Sequence, residues 1–323
     1  MIKEEKKKIY FSPSKQQKLF FYKKKFNYFI ELYEKKLLPN RIILNGQAGI
    51  GKCTFAYHFI NFVLSKHENN SYDIENFKIK HLNKSFRLVN QNCHPNFFLI
   101  ENSEDKSTID VKQIRNMINY TNKTTYNNEV KFILIDNAEY LNAYSLNALL
   151  KTVEEATPKT FFIFINNYSK KLAETLRSRC IEFKFFFTRE EKTKIFENLI
   201  NYFDLGLYVK NLECITSLYD SPGTLLNVIK LYYDNIIDLK KDNSFEIIDD
   251  LMRYSLSNKN NYTLNLLQSL IEISFFNKLK KNADKNKILY DYSKNIKKFN
   301  FFRKYNLDMN NTFYEIKENI IHG

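Results

Sequence analysis

The sequence predicts an α/β fold in its first half and an all-helical second half. Short apolar runs of the kind that form buried strands occur in the first half, and stretches with helical spacing separate them. Strands that alternate with helices predict a parallel sheet with helices on its faces. Beyond Thr188 no further strand-like run occurs, and apolar residues recur three and four positions apart, as in helices.

The first strand is predicted at Arg41–Asn45, where the run Ile-Ile-Leu is apolar and short. Three of the six glycines follow within six residues, at Gly46, Gly49 and Gly51. Such clustering in a glycine-poor chain indicates a loop with special backbone demands. The apolar spacing from Thr54 to Leu64 predicts a helix, so the loop joins a strand to a helix.

Three later apolar runs predict the remaining strands, at Lys131–Asp136, Phe161–Ile165 and Ile181–Phe187. A helix is expected between the first two of them, where Leu146 to Val153 show helical spacing. We place a domain boundary after Phe187 and a softer one near Lys240. The predicted domains are therefore 1–187, 188–240 and 241–323.

The loop Gly46–Thr54 fits the pattern GxxxxGK of a phosphate-binding loop. Its backbone N–H groups and the following helix N-terminus would hold phosphate oxygens, and Lys52 would neutralise their charge. The usual next residue is Ser or Thr, which binds Mg²⁺, but Cys53 stands there and a neutral thiol is a poor ligand for that ion. The candidate nucleotide-binding residues are Gly46, Gly49, Ile50, Gly51, Lys52, Cys53 and Thr54.

Asp136 ends the second apolar strand, which is the position of an acidic Mg²⁺ ligand in phosphate-loop enzymes. Active enzymes usually place a Glu next, where it polarises the attacking water. Asn137 occupies that position here and cannot accept a proton usefully. Glu139 lies two residues further on, and we expect it to face elsewhere.

Two further motifs follow in order, NALLKTVEE at Asn147–Glu155 and RSRC at Arg177–Cys180. Together with the loop, the Asp strand and the apolar strand, they resemble the AAA+ clamp-loader family of bacterial DNA polymerase III. The resemblance runs from about Phe11 to Phe187 and weakens beyond. It implies an AAA+ P-loop module, a helical lid and an all-helical collar for oligomerisation.

The resemblance also implies residue roles. Arg179 matches the arginine finger that acts in trans on nucleotide bound by a neighbouring subunit, and Asn166 matches the sensor-1 position. Thr224 stands where ATPase members carry the sensor-2 Arg. ATP or ADP with Mg²⁺ is a possible cofactor. Many relatives have a four-Cys zinc module, but Cys93 alone remains in that region, so no zinc is expected.

The net charge of +14 suits an acidic partner such as nucleic acid, although only eight of the 50 basic residues are Arg. Asn, Ile, Phe, Tyr and Lys are abundant, a bias typical of A/T-rich codons, so a Lys-rich solvated surface explains the charge equally well. The four cysteines, Cys53, Cys93, Cys180 and Cys214, form no CxxC pair. The charged start Met1–Lys8 lacks the apolar run of a secretory signal, and no run is long enough to cross a membrane, so we expect a cytoplasmic protein.

Three functions remain open at this point. Cys53, Asn137 and Thr224 each stand where an active ATPase of this family carries a functional residue. These replacements favour a hydrolysis-deficient clamp-loader subunit. Such a subunit supplies Arg179 to a neighbour while the sliding clamp is loaded on primed DNA. Its partners would be delta and gamma/tau subunits in a hetero-pentamer. The alternatives are an active ATPase of the gamma/tau type and a stand-alone basic DNA-binding protein.

Overall fold

The computed structural model describes residues 12–102, 108–123, 130–203, 221–236, 244–257, 261–281, 284–305 and 307–322. They form two compact units. The first contains the described residues up to Leu199 together with Ser221–Gly223, and the second contains the others. Some features from the sequence analysis lie outside the described residues. They are the charged start Met1–Lys8, the start of the family resemblance at Phe11, Cys214, and the boundary near Lys240. The three-domain division stays a prediction.

The first unit is built on a five-stranded parallel sheet with the strand order β2-β3-β4-β1-β5. The strands are β1 (Arg41–Asn45), β2 (Phe97–Ile100), β3 (Lys131–Ile135), β4 (Thr160–Asn166) and β5 (Ile181–Lys184). Its helices are α1 (Lys23–Glu34), α2 (Lys52–Leu64), α3 (Lys84–Asn90), α4 (Val111–Thr121), α5 (Ala143–Glu154), α6 (Glu174–Arg177) and α7 (Arg189–Phe203), the last of which continues into the second unit. The predicted α/β class is confirmed.

Two details of the strand prediction were wrong. The strand β2 was missed, because four apolar residues directly after Pro95 and Asn96 are too short a pattern to separate from a loop; parallel pairing with β3 makes them a strand. The strand β5 ends at Lys184 and not at Phe187. Its neighbour β1 ends at Asn45, which pairs with Lys184, and the last bond between the two strands runs from the N–H of Phe185 to the Asn45 carbonyl.

The central strands β1, β3 and β4 are buried on both faces, and their side chains alternate between two apolar clusters. Ile42 and Leu44 of β1 face a cluster that includes residues of α1 and α2, among them Phe29 and Phe55. Ile43 faces the other cluster, which includes residues of α4 and α5. This two-sided burial fixes the sheet, and therefore the loops at its edges.

The second unit is all-helical in the part that the structure describes. Its further helices are α8 (Pro222–Tyr233), α9 (Ser244–Ser257), α10 (Asn261–Lys281), α11 (Lys285–Tyr305) and α12 (Met309–His322). Buried Leu251, Phe275 and Phe299 contribute to its apolar interior. None of the helices in the described ranges combines the length and the apolar character that a membrane crossing demands.

Phe164 tests the importance of the central strand. Replacing Phe164 by Ala in β4 should lower the free energy of unfolding by about 3–5 kcal/mol, because its side chain is fully buried between the sheet and the helices. Urea unfolding followed by circular dichroism measures the change. The matched control is Phe186→Ala, whose ring is 74% exposed and whose loss should change stability by about 0.5 kcal/mol or less. Equal effects of the two substitutions would contradict the burial of Phe164 in the core.

Candidate nucleotide loop and arginine finger

The predicted phosphate loop connects β1 to α2, and glycine is needed at three of its positions. Gly49 and Gly51 have φ angles of 75° and 89°, in the left-handed region. A Cβ atom on Gly46 would lie 2.4 Å from the carbonyl oxygen of Phe185. Lys52 begins α2 directly after the loop. The strand, loop and helix therefore have the order and conformation that the sequence predicts.

Lys52 is folded back onto the loop itself. Its Nζ donates hydrogen bonds to the carbonyl oxygens of Gly46 at 2.7 Å and Gln47 at 2.6 Å. Burial lowers the pKa of Lys52 to about 8, and the nearby carboxylates of Asp136 and Glu139 counteract part of that shift. Two of the three ammonium N–H groups are thus used by the loop, which leaves one for a bound phosphate.

Other parts of the first unit also bond to the loop. The Tyr22 hydroxyl donates to the carbonyl of Ile50 at 3.0 Å, and the N–H of Gly223 donates to the carbonyl of Gly49 at 2.9 Å. A Cβ atom on Gly223 would lie 2.7 Å from that same carbonyl oxygen. The carbonyls at positions 46, 47, 49 and 50 thus all accept hydrogen bonds from within the chain.

Asp136 lies directly after β3 and faces the beginning of α2. Burial raises its pKa to about 6, although the N–H of Asn137 donates to Oδ1 at 2.9 Å. The Cys53 thiol is hydrogen-bonded to this carboxylate, and burial together with Asp136 raises the pKa of the thiol well above its usual value. Cys53 is therefore a neutral donor to Asp136. Thr54, one position later, points about 100° away around the helix.

These residues do not fit a magnesium-bound triphosphate. The hydroxyl that would bind the ion is replaced by a thiol that already donates to Asp136, and the lysine already bonds two loop carbonyls. A neutral thiol is a soft and weak ligand for Mg²⁺. Hydrolysis in this loop is accordingly not supported by its chemistry.

Asn137 and Glu139 hold the segment that follows β4. The Asn137 Oδ1 atom accepts a hydrogen bond from the Asn167 side chain at 2.8 Å. Glu139 accepts from the backbone N–H of Asn167 at 3.2 Å and from the Ser169 hydroxyl at 3.0 Å. Glu139 is buried, and its carboxylate still acts on the pKa values of Asp136 and Lys52. Both residues have structural partners here.

Asn166, the predicted sensor-1 residue, is tied to the neighbouring strand. Its Nδ2 donates to Asn45 Oδ1 at 2.6 Å, and Asn45 in turn donates to Glu182 Oε2 at 2.7 Å. The Arg177 Nε donates to the other Glu182 oxygen at 2.7 Å. Sequence reasoning missed Asn45 and Glu182. The sequence does show that Asn45 and Asn166 each end a strand. It does not show that the two strands are neighbours, and only the β1–β4 register pairs the two residues.

Arg179 lies in the turn between α6 and β5. It forms an ion pair with Glu154 at the end of α5, and its guanidinium donates to the carbonyl of Thr175 at 2.7 Å. The side chain is 35% exposed. The strand β5 runs parallel to β1. A residue just before β5 therefore lies at the amino-terminal ends of the strands, whereas the loop that follows β1 lies at their carboxyl-terminal ends. The structure thus separates Arg179 from the other predicted site residues.

The region of the family's zinc module contains ordinary contacts. The Cys93 side chain is exposed, and His94 is bonded to the Ser85 hydroxyl at 3.2 Å and to the N–H of Asn96 at 3.1 Å. Within the described residues, no cluster of three His, Cys, Asp or Glu side chains could hold a metal ion. The expectation of no zinc stays a prediction.

A protein-family model described as "DNA polymerase III, delta subunit" matches residues 22–188, just over half of the chain. The chain belongs to this family. The match includes the phosphate loop, Asp136 and Arg179, so the motifs quoted above lie within the shared region. The resemblance to the clamp-loader family is confirmed.

Relatives and solved structures agree with this assignment. DNA polymerase III subunit delta' of Pseudomonas aeruginosa is 29% identical over 140 residues, which is 43% of this chain and 41% of that protein. The subunit delta' of Buchnera aphidicola subsp. Schizaphis graminum is 26% identical over 82% of this chain and 81% of its own length.

The chain spans about two fifths of the length of the first relatives that it matches. A gamma subunit-related protein from Thermotoga maritima has a TM-score of 0.51 at 14% identity over 90% of this chain and 98% of its own, and supports the fold.

Replacing Asp136 by Asn tests the electrostatics of the loop. The folded protein holds the Asp136 proton up to about pH 6, whereas an unfolded chain releases it near pH 4. Wild-type stability should therefore fall as pH rises from 4 to 6, and the variant should gain up to about 3 kcal/mol relative to it by pH 7. Urea unfolding in EDTA-containing buffer at pH 4, 5, 6 and 7 measures this difference.

The matched control for that experiment is Asp73→Asn. Asp73 is an exposed carboxylate, and hydrogen bonds from Asn76 lower its pKa instead. The control should show no gain between pH 4 and 7. A difference between wild type and Asp136→Asn that does not change with pH would contradict the raised pKa.

Proposed function

We propose that this chain is the delta-prime-type subunit of the DNA polymerase III clamp loader, working in the cytoplasm. In this proposal it assembles with delta and gamma/tau subunits in a hetero-pentamer, and the complex loads the sliding clamp on primed DNA. Family membership supports the proposal, as does the Schizaphis graminum relative, which aligns over four fifths of both chains. Within the helical second unit, residues 241–323 are the candidate collar.

The subunit would contribute to the complex without hydrolysing ATP itself. Three features support this: Cys53 donates to Asp136 in place of a magnesium-binding hydroxyl, Asn137 replaces the usual Glu, and Lys52 bonds the loop carbonyls. The proposal assigns no catalytic step to nucleotide in this loop. The same three features count against the gamma/tau-type ATPase, although the loop itself has the expected conformation.

We infer that the subunit is a stator, which supplies an arginine finger in trans without hydrolysing ATP, and the position of Arg179 is the observation that supports this role. The pairing of Ile42 with Ile181 places Arg179 at the amino edge of the parallel strands. The phosphate loop starts at Gly46, about 13 Å further along the strand axis. Arg179 therefore acts on a phosphate only if another subunit supplies it.

A guanidinium group suits that role chemically. Its planar N–H groups can bond two phosphate oxygens at once, and its fixed charge stabilises the negative charge that develops during phosphoryl transfer. The turn between α6 and β5 would present this group, while the neighbouring subunit provides the nucleotide and the attacking water. The net charge of +14 is compatible with work beside DNA, but it does not distinguish this subunit from a stand-alone DNA-binding protein.

Arg179→Ala tests the trans role. In a complex reconstituted with the cognate subunits, the variant should lower clamp- and DNA-stimulated ATP hydrolysis by the share of the one site that it serves, because a finger contributes about 10³–10⁵ in kcat at its own site. The control is Arg87→Ala, an exposed arginine on α3. Assembly is checked by gel filtration. An unchanged rate in an assembled Arg179→Ala complex would refute the finger role.

The purified chain by itself should show no ATP turnover above that of a Lys52→Ala variant. The reason is that its loop lacks the magnesium-binding hydroxyl and the water-polarising carboxylate. Phosphate release measured with and without primed DNA checks this. Turnover that disappears in Lys52→Ala would instead establish the gamma/tau-type alternative.

A further inference from the structure

We propose that Glu154 is a positioning residue that holds Arg179 against its own subunit until a neighbour's phosphate competes for the guanidinium. This inference rests on the trans role of Arg179 proposed above and adds a second residue to it. Glu154 does not touch nucleotide in this proposal, and it acts through Arg179 alone.

Arg179 donates hydrogen bonds to three neighbouring groups. Its Nε donates to the Glu154 carboxylate, while Nη1 donates to the carbonyl of Thr175 and to the Ser178 hydroxyl, at 2.7 and 3.3 Å. The carboxylate and the carbonyl together fix the direction of the guanidinium plane. In this arrangement Nε and Nη1 are engaged, so a phosphate that bonds the Nε side of the guanidinium has to displace the Glu154 carboxylate.

Glu154 itself is anchored independently of this ion pair. Its backbone carbonyl accepts a hydrogen bond from the Arg41 guanidinium at 2.7 Å, at the beginning of β1. The carboxylate therefore extends from a fixed point of the sheet edge toward Arg179. Changing the carboxylate alone leaves the Arg41 contact in place, because that contact uses the backbone.

The pair is weak enough to be exchanged. Its side chains are 35% and 47% exposed, and exposed ion pairs shift an equilibrium by about fivefold or less. The Glu154 carboxylate is bonded through Nε alone, whereas a phosphate can bond two N–H groups at once and carries more negative charge, so it can displace the carboxylate. Glu154 would thus reduce the fraction of time for which Arg179 points outward without preventing its use.

The decisive variant is Glu154→Gln in the reconstituted complex. It should raise ATP hydrolysis measured without clamp and DNA by about two- to fivefold, because the neutral amide holds Arg179 less firmly. The control is Glu155→Gln, which removes an exposed carboxylate from the same helix end, 4.0 Å from Lys151, and should leave the rate unchanged. In an Arg179→Ala background, Glu154→Gln should have no effect.

The outcomes separate the two proposals. If Arg179→Ala changes nothing, the finger role fails. If Arg179→Ala lowers the rate but Glu154→Gln equals Glu155→Gln, or lowers the rate, only the positioning role fails.

A second measurement uses the full chain alone, where nitrogen-15 NMR follows hydrogen exchange at Arg179 Nε. Exchange should accelerate in Glu154→Gln and not in Glu155→Gln; equal exchange in wild type and Glu154→Gln would overturn the inference.

Discussion

The parallel pairing of β1 with β4 and β5 is the constraint on which the site depends. It brings the ends of β1 and β4 together, so that Asn45 and Asn166 bond beside the phosphate loop. The same pairing sends the turn before β5 to the opposite edge. The two ends of the strands therefore carry different chemistry. The phosphate loop lies at the carboxyl-terminal ends, and the RSRC motif lies at the amino-terminal ends.

Charge at the loop edge is balanced within the protein. Burial moves the pKa of Lys52 down to about 8 and that of Asp136 up to about 6, so both groups are displaced toward their neutral forms. The loop carbonyls around Lys52 and the Cys53 thiol beside Asp136 supply the compensating hydrogen bonds. The features that look like losses in the sequence are the partners that make these buried groups tolerable.

Sequence reasoning predicted the elements with strong local signals. The glycine cluster, four apolar strands and the Asp136 strand end were recognisable because each requires particular residue types at fixed spacing. The strand β2 was missed because four apolar residues gain their conformation from pairing with β3. The contacts of Glu154 with Arg179 and of Asn45 with Glu182 join residues far apart in the chain, and only strand register and turn geometry bring them together.

The loop carbonyls that bond within the chain have a consequence for how such a protein would behave in the cell. Tyr22, Lys52 and Gly223 hold the loop through hydrogen bonds that belong to the chain itself. The proposed subunit would then keep this loop in one shape while its ATPase partners change theirs with the nucleotide that they bind.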